Sequence, residues 1–307
     1  MKVEWFDIQK RSLSDRILMT LAYFDVFGFG LSLKDLSKFI LGEKDAQTDN
    51  HLKIELIKLK NEIIKIEGKY FLKNSNPAGL FNANEVLMKA MNSAKWFEYI
   101  PFVEFVAVCN YLPIGIADQE SDIDVLIVTK VNRIFIARLF TTVVLHVLRL
   151  RRHGKRVRGR FCLSFYVNEA FLDFSDLLID NDIYFAYWLL ALHPIYGDIS
   201  FYENIQSENQ NWLKAFFAEK RTGKFELINN KSFIKNVIEK FLSKKLGNWL
   251  EALLTRFFVA RNNSKSKEFG HTSSIVVSSK RLKFHNNDRR MFYRDAFYER
   301  LKRLGLL

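Results

Sequence analysis

The sequence predicts a mixed α/β (α+β) fold: a sheet flanked by helices, preceded by an N-terminal winged helix and followed by a helical C-terminal region. Three observations predict it. Apolar residues recur at helical spacing near the N-terminus, in DRILMTLAYFDVF and again in HLKIELIKLKNEIIKIE. The short apolar runs VEFVAVC, DIDVLIVT and FCLSFYV read as strands, with a short helix between the first two and a long apolar helix before the third, which is an α/β order. Beyond Phe171 the patterns are mostly helical.

Taken in order, DRILMTLAYFDVF (Asp15 to Phe27) carries one apolar stripe, and LSLKDLSKFIL starts a second helix, with Ser32 as a cap three residues before Asp35. HLKIELIKLKNEIIKIE reads as a third, longer helix, and GKYFLK as a turn into a short strand. Helix, helix, helix and hairpin is the order of a winged helix-turn-helix. Lys58, Lys60 and Lys65 alternate with Glu55, Glu62 and Glu67, so a structural or protein-docking role suits it better than a DNA-reading one. Pro77 and Gly79 then mark a connection, which sets the first unit at residues 1–76.

The second unit, residues 77–170, holds a connecting helix and the three apolar strands. IFIARLFTTVVLHVLRL, Ile134 to Leu150, is interrupted by Arg138 and His146 and is shorter than the roughly 20 residues of a membrane helix, so it reads as a buried helix. Residues 171–307 form the third unit, read as helical and basic. It contains DNDIYFAYWLLALHP, the helix NWLKAFFAEK, a long helical segment with a break at Gly247, a polar loop NNSKSKEFGHTSS, and a terminal basic amphipathic segment.

Composition narrows the functional classes. The chain has 307 residues, 49% of them apolar and 26% charged, which excludes a disordered chain. MKVEWFDIQKRSLSDR lacks the apolar run of a secretory signal, and the expected compartment is cytoplasmic, with no membrane span. Cys109 and Cys162 lie in predicted strands without a CxxC partner, which argues against a disulfide framework or a zinc site. The formal charge of +13 gathers in RLRRHGKRVRGR and in the chain beyond Trp212, and favours an anionic partner such as a nucleotide, a nucleic acid or a lipid headgroup. A solvated basic loop accounts equally well for Lys155, Arg156, Arg158 and Arg160, and a packed helix face for Tyr184, Tyr187 and Trp188.

In SDIDVLIV, Asp122 and Asp124 lie two apart on a strand and project from one face. Two carboxylates beside apolar neighbours repel and desolvate badly unless a cation neutralises them, and oxygen ligands of this type suit Mg²⁺. The stretch FVAVCNYLPIGIADQESDIDVLIV resembles the fingerprint of the nucleotidyltransferase superfamily, the DNA polymerase beta-like type: an apolar strand ending in Gly-Ser, a spacer, then Asp-x-Asp on the next strand. YFDVFGFGLSLKDL, RRHGKRVRGRFCLSFYV and DIYFAYWLLALHP extend the likeness to a bacterial and archaeal group of winged-helix proteins with such a domain.

The resemblance implies a nucleotidyltransferase-type mixed sheet, Mg²⁺ or Mn²⁺ on Asp122 and Asp124, and a nucleoside triphosphate as substrate. Asn110, Tyr111 and Ser121 would hold its phosphates, and a nucleoside monophosphate would pass to an acceptor, a nucleic acid or a protein among the candidates. Asn110 and Tyr111 stand where the family has Gly-Ser, and Asn tolerates the left-handed turn. Ser164 stands on the strand where the family often places a third carboxylate, with Asp118, Glu169 and Asp173 as substitutes to consider. Two other functions compete: a catalytically degenerate nucleotide-binding or scaffold protein, and a winged-helix regulator that binds nucleic acid.

Overall fold

The computed structural model describes residues 8–42, 49–78, 83–118, 120–217, 225–269, 275–284 and 288–307, and for residues 261–269 and 275 the backbone alone. The N-terminal segment read for export signals, the linker around Gly79, the end of NWLKAFFAEK and the last part of the polar loop fall wholly or partly outside these ranges. Among the described residues there are eleven α-helices and a mixed six-stranded sheet, the α+β class expected.

Helices α1 (Leu13–Asp25), α2 (Leu33–Phe39) and α3 (Asp49–Lys58) lead into the antiparallel pair β1 (Ile63–Ile66) and β2 (Lys69–Leu72). Ser12 and Ser32 cap α1 and α2 by accepting the N–H groups of Asp15 and Asp35. The third helix is shorter than its apolar repeat suggests. IIKI is rich in β-branched residues and pairs with β2 instead of extending the helix, and Glu67 and Gly68 take φ of 47° and 80°, the paired left-handed geometry of a tight hairpin turn. Leu31 bridges to Tyr70 and so pins the turn before α2 onto the hairpin.

After α4 (Ala83–Ser93), the sheet is built from β3 (Val103–Val108), β4 (Ile123–Thr129) and, beyond α5 (Ile134–Val147), β5 (Phe161–Asn168). The chain continues through α6 (Ile183–Leu190), β6 (His193–Gly197), α7 (Ser200–Glu208), α8 (Gln210–Leu213), α9 (Phe233–Leu242) and α10 (Lys245–Phe269). It closes with β7 (Ile275–Val277), β8 (Arg281–Phe284) and α11 (Arg290–Arg303). The strand order is β6-β3-β4-β5-β8-β7, with β4 and β5 parallel and the other pairs antiparallel.

The C-terminal region is therefore not only helical. Three strands after Phe171 complete the sheet on both sides, and they are too short and too polar to announce themselves by periodicity. NNSKSKEF, read as the start of a loop, continues α10 instead. The break near Gly247 falls between α9 and α10: a Cβ at Gly247 would lie 1.7 Å from the Leu242 carbonyl oxygen, so only glycine lets the two helices meet there.

Alternation along the strands sorts the core into two layers. Val125 and Ile127 join α4, α5 and the helices α9 and α10 on one face of the sheet. Leu126 and Val128, with Phe105, Ala107 and Phe165, face α1, α6 and α11 on the other. Each fully buried Val, Leu or Ile stabilises the fold by about 1.5–3 kcal/mol. The same alternation puts Asp124 on the face that meets the N-terminal helices. The apolar helix α5 buries Ile134, Phe135, Ile136 and Ala137, and no helix among the described residues is long and apolar enough to cross a membrane.

The N-terminal helices are tied to the C-terminal one. Arg300 of α11 donates to the Asp25 carboxylate at 2.6 Å and to the Asp25 carbonyl at 3.2 Å, a cation at the negative end of α1.

Candidate functional site

Between the N-terminal helices and the sheet lies a cleft of about 500 Å³, whose lining includes Phe27, Gly28, Asn110, Tyr111, Asp122 and Asp124. Its wall begins at the GFG turn. Gly28 has φ 62°, and a Cβ there would meet the Ala78 amide nitrogen at 2.7 Å. That turn, too short to be a dinucleotide signature, serves instead as packing that shapes the cleft.

The floor is the end of β3 and the start of β4. Asn110 follows β3 in the left-handed region, φ 66°, so the turn expected there survives without glycine. Its amide N–H donates to Asp124 Oδ2 at 2.9 Å, and its amide oxygen accepts from the Tyr184 hydroxyl at 2.9 Å. Across the sheet, Asp124 pairs in register with Cys162 of β5. Ligand atoms of Asp122, Asp124 and Cys162 all lie within 4.8 Å of one another. Burial, then the neighbouring Asp124 charge, push the Asp122 carboxyl above its usual range, while Arg152 opposes them from 2.6 Å.

This corrects one assignment and adds two residues. The third position facing the aspartates belongs to Cys162, which pairs with Asp124, and not to Ser164, which lies beyond it where the β4–β5 register shifts. Burial, and then the charges of Asp124 and Asp122, raise the Cys162 thiol far above neutrality, so it stays protonated beside the carboxylates. Sulfur is a soft donor and a poor ligand for a hard cation. Asp122 and Asp124 supply two oxygen donors of the kind that Mg²⁺ or Mn²⁺ takes. Arg152, the second addition, sits on Asp122 from the basic loop. Its side chain is 49% exposed, so the pair is worth at most about 1 kcal/mol and yields readily to a divalent ion.

Tyr111 lines the cleft, yet its hydroxyl is turned inward. It hydrogen-bonds the hydroxyl of Tyr23 in α1, and its ring packs on Phe27 and Tyr184 at 4.6 and 5.0 Å. Burial raises both the Tyr23 and the Tyr111 phenols, so this contact is between neutral groups. The expected phosphate-holding role does not match that orientation: the aromatic ring finds its burial against α1 and the hydroxyl its partner there. Ser121 also lines the cleft, and its hydroxyl donates to Asp118 at 2.9 Å.

Of the substitute carboxylates, Asp118 lies at the cleft. Glu169 donates its backbone N–H to the Thr129 carbonyl at the opposite end of β4 and pairs with Lys130 at 3.2 Å, and Asp173 lines a separate pocket with Asp176 and Arg281. Lys155 and Arg156 are exposed around a tight turn, consistent with a solvated loop, while Tyr187 and Trp188 are core. Tyr184 is the exception on that helix, since it reaches Asn110 and stacks on Tyr293 of α11 at 5.0 Å. Its proximity to the site had no local signal, because it depends on where α6 and α11 dock. No family model matches the chain, and comparison with curated proteins and with solved structures finds no match either.

Proposed function

We propose that this cleft binds a nucleoside triphosphate with Mg²⁺ or Mn²⁺, on a nucleotidyltransferase-type sheet, and that the protein transfers a nucleoside monophosphate to an acceptor. The observation that carries this is the pair Asp122 and Asp124, side by side at the floor of a cleft large enough for a nucleotide. Two partly buried carboxylates of like charge are an unfavourable arrangement that a divalent cation relieves, and the ion when bound would neutralise phosphate charge. Asp122 and Asp124 would hold it, and backbone N–H groups of the turn around Asn110 offer donors for phosphate oxygens. In the transfer an acceptor oxygen attacks the α-phosphorus, the α–β phosphoanhydride breaks, pyrophosphate leaves and the acceptor proton passes to solvent or to a carboxylate such as Asp118.

A second reading, nucleotide binding without transfer, is favoured by Cys162, which stands beside the two aspartates where a third carboxylate would serve as metal ligand or base. The α1–α2–α3 unit with its hairpin has the order of a winged helix. Its α3 leaves Ile54 and Ile57 exposed, at 51% and 70%, which suits protein docking better than a DNA groove. The test is incubation with each triphosphate labelled on the α-phosphate, with Mg²⁺ and with protein, RNA and DNA as acceptors. Label transfer that disappears in Asp124→Asn supports the enzyme. Bound but untransferred nucleotide supports the second reading, and no binding at all removes both.

A further inference from the structure

Among the described residues, exposed large apolar side chains concentrate on α9 and α10. Phe233, Val237 and Phe241 share one face of α9, and Trp249, Leu253 and Phe257 one face of α10. The aromatic members are 81% (Phe233), 69% (Phe241), 62% (Trp249) and 56% (Phe257) exposed. Exposed apolar side chains scattered singly need no explanation, but two consecutive helices that each carry an exposed aromatic ridge do.

The charges on these helices are sorted as well. Between Lys231 and Phe257 the chain has two carboxylates, Glu239 and Glu251. Both turn inward: Glu239 accepts the Phe102 amide at 2.6 Å, and Glu251, 9% exposed, accepts the amides of Phe135 and Ile136 at 2.9 Å. Lys235, the one cation of this stretch that is fully buried, also points inward and donates to the Val103 carbonyl. The outward-facing cations are Lys240, Lys244, Lys245 and Arg256, all exposed. Within residues 231–257 the outward-facing charges are thus all cationic, beside an apolar and aromatic face.

We infer that the outer face of α9 and α10 docks in the plane of an anionic lipid bilayer, aromatic side chains at the headgroup boundary and lysines on the lipid phosphates. An in-plane amphipathic element needs this combination of a wide apolar face, flanking cations and no carboxylate on the wet side. A second copy fits less well, because two such faces would oppose Lys240, Lys244 and Lys245 with their counterparts and supply no carboxylate. Nucleic acid fits less well too, since its ligands present polar, basic surfaces rather than a continuous apolar ridge.

The experiment is vesicle flotation of the full chain at low salt, on equimolar phosphatidylglycerol and phosphatidylcholine and on phosphatidylcholine alone. Wild type floats with the anionic vesicles and far less with the neutral ones. Phe241→Ser with Trp249→Ser weakens binding by about tenfold or more. Lys240→Glu with Lys244→Glu removes the preference for anionic lipid, and Asp122→Asn floats as wild type does, which separates this surface from the nucleotide site. Circular dichroism confirms that the variants fold. The inference is overturned by no flotation on anionic vesicles or by equal flotation on both compositions. It is overturned equally if sedimentation velocity shows a dimer that Trp249→Ser dissociates, or if the lysine variants lose duplex nucleic acid and not vesicles.

Discussion

Replacing Asp182 tests how the C-terminal helix is held over the site. Asp182 caps α6 by accepting the N–H of Phe185 at 3.0 Å and also accepts that of Ile179 at 3.2 Å. The same carboxylate receives Arg290 Nη1 of α11 at 2.7 Å, with side-chain exposures of 7% for Arg290 and 1% for Asp182. Burial pushes the Asp182 carboxyl above its usual range, and Arg290 pulls it part of the way back, so the pair is worth much less than its bare Coulomb attraction.

Breaking it is another matter. Removing one partner of a buried pair costs about 3–5 kcal/mol, and the lower end applies here because Asp288 still contacts Arg290. The lost cap adds about 1 kcal/mol. Asp182→Asn keeps an acceptor for the cap and loses the charge, so it should cost about 3 kcal/mol, and Asp182→Ala about 1 kcal/mol more. Urea unfolding followed by circular dichroism reads both as shifts in midpoint at unchanged slope. An Asn variant within about 0.5 kcal/mol of wild type would refute the ion-pair account, and identical Asn and Ala variants would refute the cap.

Lys235 is fully buried, and burial lowers its ammonium to about 8, against 10.5 in the unfolded chain. The unfolded state then binds more protons between these values, so the destabilisation is complete below pH 8 and fades as pH rises towards 10.5. Wild type should therefore gain about 2 kcal/mol relative to Lys235→Met between neutral pH and pH 10, read by urea midpoints at each pH, and a constant difference would contradict it. Tyr23→Phe strands the buried Tyr111 hydroxyl and should cost about 1–3 kcal/mol, while adding Tyr111→Phe should restore most of that; additive losses would show that the two hydroxyls are not coupled. At Asn110, with φ 66°, Ala should be less stable than Gly by about 1 kcal/mol in thermal unfolding, since both lose the same hydrogen bonds and only Ala strains the turn. Arg152→Gln should tighten Mg²⁺ binding by up to about fivefold in a titration, because a competing cation leaves Asp122; weaker binding would mean that Arg152 organises the carboxylates instead.

Much of the central sheet was legible. The runs forming β3, β4 and β5 are rich in β-branched or aromatic residues and largely apolar on both faces, and they lie where the structure has strands, since a buried strand needs that composition whatever its neighbours. The shared face of Asp122 and Asp124 followed from the two-residue period of a strand. What sequence could not supply were features set by pairing between distant segments. Strand β8 carries Arg281 and Lys283, reads as a basic loop, and becomes a strand only by pairing with β5. Cys162 faces Asp124 through a parallel register with a shift in it, and Tyr184 and Arg152 reach the carboxylates from a docked helix and a folded-back loop. The partner of the Tyr111 hydroxyl was hidden for the same reason: it belongs to Tyr23, far away in the chain.

Calorimetric titration of the purified protein with a nucleoside triphosphate, with Mg²⁺ and again with a chelator, bears most directly on the cleft between the N-terminal helices and the sheet. Binding that requires the metal and is lost in the Asp122→Asn, Asp124→Asn double variant, with circular dichroism unchanged, is the result expected. Binding that is as tight with chelator, or that survives in the double variant, would contradict a metal–nucleotide site at these two carboxylates.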